Sequence, residues 1–291
     1  MAVRTFNTAA LLLTIAAPAL LCQPRDAAAQ QVAGAPANSA ASPYPFAEIV
    51  DLVTGSPIVL DATITSTVRI KGAEAANVPP NTVRYYVEAD VTALIRGPGA
   101  IPPRIGYVLD APLGPNGRQP KYRKARVLLF ARPVPGSATQ LQLIGPEAQR
   151  GWTAELDALT RRITAEVLAP DAPPIVTGVG NAFHVPGSLP GEGETQIFLT
   201  TRDRRPVSLS ILRRPGEQPR WAVALSEIVD DAAGPPQRDT LLWYRLACAL
   251  PPALPARATQ ALEPDNAAVA QEDYRFVLEQ LGPCRRTAPA G

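Results

Sequence analysis

The stretch SPIVLDATITSTVRIKG, residues 56–72, narrows what this chain can fold into more than any other. Ile58, Leu60, Ala62, Ile64, Val68 and Ile70 fall on one side, and Asp61, Thr63, Thr65, Thr67, Arg69 and Lys71 on the other. Period two with this much β-branching predicts a long, half-buried strand. VRYYVEADVTALIRGPG, residues 83–99, repeats the pattern. Val83, Tyr85, Val87, Ala89, Val91 and Ala93 are assigned inward; Arg84, Glu88, Asp90 and Thr92 are assigned outward. Two strands of such length cannot stand alone, because each needs partners for its backbone and a cover for its apolar face.

Shorter runs supply those partners. RIGYVLD (104–110), ARVLLFARP (125–133) and TQLQLIG (139–145) are further strands, separated by the turn segments NVPPN, GPGAIPP and PLGPNG. FAEIVDLVTG (46–55) predicts one or two helical turns before them, with Gly55 as a stop. After them Trp152, Leu156, Leu159, Ile163 and Val167 form a stripe of helical period. Five antiparallel strands and a helix point to a small closed or nearly closed barrel over residues 58–144, since closure removes the edges of an antiparallel sheet.

IVLDATITSTVRI, YYVEADVTALIRGPG and KARVLLFARP, in that order, resemble bacterial exported domains of the oligosaccharide/oligonucleotide-binding (OB) barrel type and netrin-like modules. The resemblance covers residues 46–168. It implies an OB-like barrel with a terminal helix, and it brings no catalytic residue with it.

A proline linker, APDAPP (169–174), opens a second β-region. TQIFLTT, RPVSLSILRR and RWAVALSEIV alternate across the short turns RDRR and PGEQP, and with GNAFHVPG they predict a three- or four-stranded meander. A two-helix tail follows. RDTLLWYRLACAL stops at Pro251 and Pro252. EPDNAAVAQEDYRFVLEQLGPC has Asp265 as its expected N-cap, a stripe of Ala270, Tyr274, Val277, Leu278 and Leu281, and Gly282-Pro283 as its stop. The expected fold is therefore mainly β with C-terminal helices: an OB-like barrel at 46–168, then a meander and helical tail at 175–287. Whether these are two domains or one continuous core is open.

The N-terminus predicts export. A positive charge at Arg4, the apolar run AALLLTIAAPALLC (9–22) and a spacer ending in Ala27 and Ala29 describe a signal peptide over residues 1–29. The apolar run is shorter than the ~20 residues of a membrane-spanning helix. Leu21 is bulky where a lipoprotein cysteine at Cys22 would want a small neighbour. Residues 30–45 are small, polar and Pro-rich, a leader that cannot bury a core. No later segment is apolar enough to span a bilayer, so the expected location is periplasmic or secreted. In such a compartment Cys248 and Cys284, the two cysteines left of three, are expected to pair.

Composition bounds the chemistry. Lys and Arg total 28 against 26 Asp and Glu, a net charge of +2, and a leader holding Arg4, Arg25 and Asp26 brings the balance closer still. That is no general nucleic-acid binder. The single histidine, His184, cannot build a zinc site and sits among apolar neighbours, as a backbone-bonded structural histidine would. G-x-S-x-G, H-E-x-x-H, Walker and dinucleotide motifs are missing. GSLPGEGE (187–194) lacks the lysine of a phosphate loop. No cofactor and no metal are expected.

Two features remain. Glu88 and Asp90 share a strand face near Asp110, a pair of carboxyls of the kind acid–base chemistry needs, although a wet strand face commonly carries acids; Glu192 with Glu194 and Asp230 with Asp231 are weaker pairs. RQPKYRKAR (118–126) holds five cations and no acid, with Tyr122 at its centre. Arg118, Lys121, Tyr122, Arg123 and Lys124 are the candidate ligand-binding residues, because guanidinium beside an aromatic ring suits phosphate, sugar or carboxylate. A solvated charge run that protects an edge would look the same. Arg213-Arg214 and Arg285-Arg286 are fainter versions. The reading that follows is an exported, non-catalytic binding or interaction protein, with an anionic envelope component or another periplasmic protein as its partner. The alternative is a metal-independent hydrolase using paired carboxylates.

Overall fold

The computed structural model describes residues 44–226 and 234–286. The expected signal peptide, Cys22, the leader up to residue 43, Asp230 and Asp231 lie outside the described residues.

The first helix, α1 (Phe46–Gly55), is longer than its two predicted turns. Phe46, Ile49, Val50, Leu52 and Val53 are all buried, while Glu48, Asp51 and Thr54 form a half-buried polar face, so α1 packs a wide apolar face into the fold. The barrel consists of β1 (Ile58–Arg69), β2 (Thr82–Arg96), β3 (Arg104–Pro112), β4 (Arg126–Pro133) and β5 (Gln140–Leu143). They pair in the order β1-β2-β3-β5-β4, and β4 returns to β1, which closes the ring. A short β6 (Gln149–Gly151) extends the sheet from β4. One pairing differs from the expected all-antiparallel arrangement: β3 and β5 run parallel. Alternating directions cannot close around an odd number of strands, so one parallel pair is forced, and it falls on the shortest strand.

Side chains fill the barrel. Leu60, Ala62, Ile64, Tyr85, Val87, Ile105, Tyr107, Leu129 and Leu141 share one buried cluster. Gly106 on β3 leaves room for the Tyr86 side chain to lie across it, since a Cβ there would lie 2.2 Å from the Tyr86 hydroxyl. Across that gap Gln140 Nε2 donates to Tyr86 Oη at 2.8 Å, tying β5 to β2 over the bare backbone.

Two residues of β1 depart from the alternation. Its pairing with β2 shifts register between Ile64 and Ser66, and a bulge reverses the faces beyond it, which leaves Val68 60 % exposed rather than inward. Asp61, assigned to the wet face, is 1 % exposed. Arg126 of β4 holds it by two bonds, Nε to Oδ1 at 2.9 Å and Nη2 to Oδ2 at 2.6 Å. The same guanidinium lies 3.7 Å over the Trp152 ring, so the outer barrel wall is covered here. That cover also explains VLLFA: residues 127–131 are buried on both faces and therefore do not alternate.

Helix α2 (Ala154–Leu168) starts at Thr153, whose hydroxyl accepts from Leu156 N, and it packs against α1. Strands β7 (Val176–Pro186), β8 (Gly193–Thr201), β9 (Val207–Arg213) and β10 (Arg220–Ala224) form a four-stranded antiparallel meander in the order β10-β9-β8-β7. Helix α3 (Leu241–Ala247) begins with its apolar run, capped by Thr240, so Arg238 and Asp239 of the expected segment stay outside it, and α4 (Pro264–Leu281) runs across β7 and β8. The α4 N-cap is Glu263, not Asp265: Pro264 occupies the first helical position, where its fixed φ suits the turn, and Asp265 falls inside it. Gly282 ends α4 in the left-handed region, φ 67°.

One hydrophobic cluster joins the outer wall of the barrel to the second sheet. It includes Val59, Leu128 and Phe130 from the barrel, Phe46 and Val50 from α1, Ile197, Leu209 and Trp221 from the meander, and Tyr274 and Val277 from α4. Cys248 and Cys284 lie at disulfide distance, Cα–Cα 5.2 Å, and link the end of α3 to the segment after α4.

Candidate functional site

The basic segment between β3 and β4 forms a loop over one end of the barrel. After β3, Leu113 N donates to Asn81 O at 2.7 Å and Gly114 N to Arg118 O at 2.8 Å, so the chain folds back in a tight turn. Asn116 and Gly117 take positive φ inside it, conformations suited to those two residue types. The return path is pinned by Lys124 N to Ile64 O at 2.8 Å and Ile64 N to Ala125 O at 2.9 Å, which continue the β1–β4 pairing. Lys124 itself sits at φ 68°.

Tyr122 anchors the loop. It packs with Leu113 and Ala125 against the barrel core and meets Tyr85 edge to face, centroids 6.5 Å apart. Burial raises the phenol pKa of Tyr122, and the Tyr85 hydroxyl donates to Gln119 Oε1 at 3.3 Å. The aromatic ring thus packs over the end of the barrel. Arg118, Lys121, Arg123 and Lys124 are all exposed, and none forms an ion pair or a side-chain hydrogen bond with the described residues. The fifth cation of the run, Arg126, is spent on Asp61. Four of the five predicted basic positions therefore form one unpaired positive surface on a loop fixed at both ends.

The paired carboxylates are engaged elsewhere. Glu88 accepts from Ser66 Oγ at 2.7 Å, Asp90 from Arg104 at 2.7 Å, and Asp110 takes both Arg84 nitrogens at 2.6 and 2.7 Å. Each carboxyl meets a partner across the strands, as ladder charges do on a wet sheet face. Glu192 caps its own turn by accepting from the amides of Ser188 and Leu189, and Glu194 accepts from Gln196 on the outer face of β8.

His184 is a strand residue, 8 % exposed, and its partner is a side chain rather than backbone. Its Nδ1 lies 2.8 Å from Thr195 Oγ1, which donates to Asp273 Oδ2 at 2.5 Å; Arg213 Nε donates to Asp273 Oδ1 at 2.6 Å. Gly193 leaves room for the imidazole, since a Cβ there would lie 2.7 Å from His184 Cε1. Burial lowers the His184 pKa; Asp273 pulls against it, and the Arg213 charge adds a smaller lowering. This four-residue network was not assembled from the sequence. Its members share a signal: each polar residue among His184, Thr195 and Asp273 falls in phase with the apolar residues of its own element.

Among the described residues no group of His, Cys, Asp or Glu side chains could hold a metal ion, and no helix is long and apolar enough to cross a membrane. No family model and no curated protein matches the chain.

Proposed function

We propose that the protein is an exported, non-catalytic binding module whose basic loop docks an anionic envelope component. The single observation behind this reading is the set of four exposed cations, Arg118, Lys121, Arg123 and Lys124, without a carboxylate partner among the described residues, on a loop anchored by Tyr122. Elsewhere on the barrel Arg84, Arg104 and Arg126 are each matched with an acid. Arg96 and Arg132 of the strands bond Val53 O and Gln142 rather than an acid, so what sets the loop apart is that four such cations are gathered on it. An exposed cationic loop suits an extended polyanion, whose successive charges can each meet one of its cations. The engaged state of Glu88, Asp90 and Asp110 supports this reading over carboxylate catalysis.

The test is lipopolysaccharide binding by the chain beginning at Gln30, compared with a variant carrying serine at residues 118, 121, 123 and 124. Each cation near an anionic surface contributes about 1 kcal/mol, so the combined loss is expected to exceed tenfold while the unfolding temperature is unchanged. Wild-type affinity should also fall as salt rises. Equal binding by the variant, or binding indifferent to salt, refutes the proposal.

A further inference from the structure

A second cationic feature lies away from the basic loop. A cavity of about 420 Å³ opens between the end of α1, the start of β7, the loop after β8 and the last turn of α3. Arg202, Arg245 and Arg286 all line it, with Asp51, Tyr244 and Val176.

The charges within it are unequal. Arg286 is neutralised: its Nε donates to Asp51 Oδ2 at 2.5 Å. The Tyr244 hydroxyl donates to the other Asp51 oxygen, and burial, then that bond, pushes its pKa up to about 12. Asp51 is thus engaged by Arg286 and Tyr244, and among the described residues it forms no ion pair with the remaining two guanidiniums. Arg202 is held by its backbone, N to Ile175 O at 2.9 Å, and its side chain makes no ion pair among the described residues. Arg245 is half-buried; its Nε is inaccessible and meets no acceptor. Burial disfavours the Arg245 cation; Tyr244 pulls the other way, and the nearby charge of Arg202 adds a smaller disfavouring push. Tyr244 offers it only a ring face, with the guanidinium carbon 5.8 Å from the centroid. Two like charges converging on one cavity, one of them with a buried and unmet donor, are costly in the free protein and are relieved by an oxyanion. Guanidinium forks match carboxylate and phosphate geometry, while Ile175 and Val176 supply apolar wall for a short organic body.

We propose that this cavity is a binding site for a small organic oxyanion, a carboxylate or phosphate, gripped by Arg202 and Arg245. It stands apart from the basic loop and does not depend on that loop's role. Arg245 is a binding residue whose removal should not destabilise the unliganded fold, because its charge is unmet there.

The experiment is calorimetric titration of the chain beginning at Gln30 with succinate and with inorganic phosphate at fixed ionic strength. Arg202→Gln, Arg245→Gln and the serine-substituted basic loop are compared with it. Saturable binding of at least one probe is expected. Either glutamine variant should weaken it at least tenfold, with an unfolding temperature no lower than wild type in the absence of probe. The loop variant should bind the probe as wild type does. Arg202 is exposed, so its variant keeps the test valid if the Arg245 variant folds poorly. Absence of saturable binding of both probes to wild type overturns the proposal. Unchanged affinity in Arg202→Gln, or loss of probe binding in the loop variant, does so equally.

Discussion

Replacing Asp273 with alanine isolates the most consequential polar contact in the second sheet. Asp273 is 0 % exposed and accepts two bonds, from Thr195 at 2.5 Å and from Arg213 at 2.6 Å. Removing one partner of a buried pair commonly costs 3–5 kcal/mol, because the other charge is left unmet. Arg213 softens that figure. Its side chain is 23 % exposed and retains Glu272 at 3.1 Å on the rim. Thr195 adds to it, since an unmet buried hydroxyl costs about 1–3 kcal/mol. A net loss of about 3 kcal/mol is expected. With a urea m value of about 3 kcal/mol/M, the unfolding midpoint should fall by about 1 M at constant m. Glu272→Ala, whose carboxylate is 62 % exposed, should cost under about 0.5 kcal/mol in the same assay. Combining Asp273→Ala with Arg213→Met should recover at least about 1 kcal/mol relative to the alanine change alone, because no orphaned charge remains. A loss below about 1 kcal/mol, or no recovery in the double variant, would refute the view that this pair ties α4 to the sheet.

Two other outcomes follow from the same structure. Burial holds His184 neutral against the pull of Asp273, so its folded pKa lies below the unfolded value of about 6.5. The unfolded chain then takes up the proton first, so this contribution is complete above about pH 6.5 and is lost as pH falls toward the folded value. Urea midpoints measured from pH 8 to pH 5 should drop more steeply in wild type than in His184→Asn, and parallel curves would contradict the assignment. Cys248 and Cys284 are 36 residues apart, a closure worth roughly 3–4 kcal/mol by chain entropy. Thiol titration of the unfolded, unreduced protein should find neither cysteine free, and two titratable thiols would exclude the bridge.

The barrel was legible because its signal is local. Alternation in β2 places Val83, Tyr85, Val87 and Ala89 in the core as expected, and Pro- and Gly-rich turns mark where each strand stops. The same rule fails where information comes from far along the chain. Nothing near Asp61 indicates that Arg126 and Trp152 will cover it, and nothing in TSTVR announces the bulge that turns Val68 outward. The Arg202–Arg245 cavity is further out of reach, since it exists only because the loop after β8 and the last turn of α3 meet.

Polar residues in phase with an apolar period carry more information than those out of phase. Glu88 and Asp90 are out of phase on β2, and both end in half-exposed contacts with neighbouring strands. Asp273 stands three residues after Ala270 and four before Val277, inside the buried stripe of α4; Thr195 and His184 take inward positions on β8 and β7. A carboxylate, a hydroxyl and an imidazole that must all face the interior cannot each be satisfied by water, so they have to find one another. That inference needs no contact map, only the phase of each element. It leads to the network that joins His184, Thr195 and Asp273, whereas the four exposed loop cations, lacking any such phase, must be understood by what they leave unpaired.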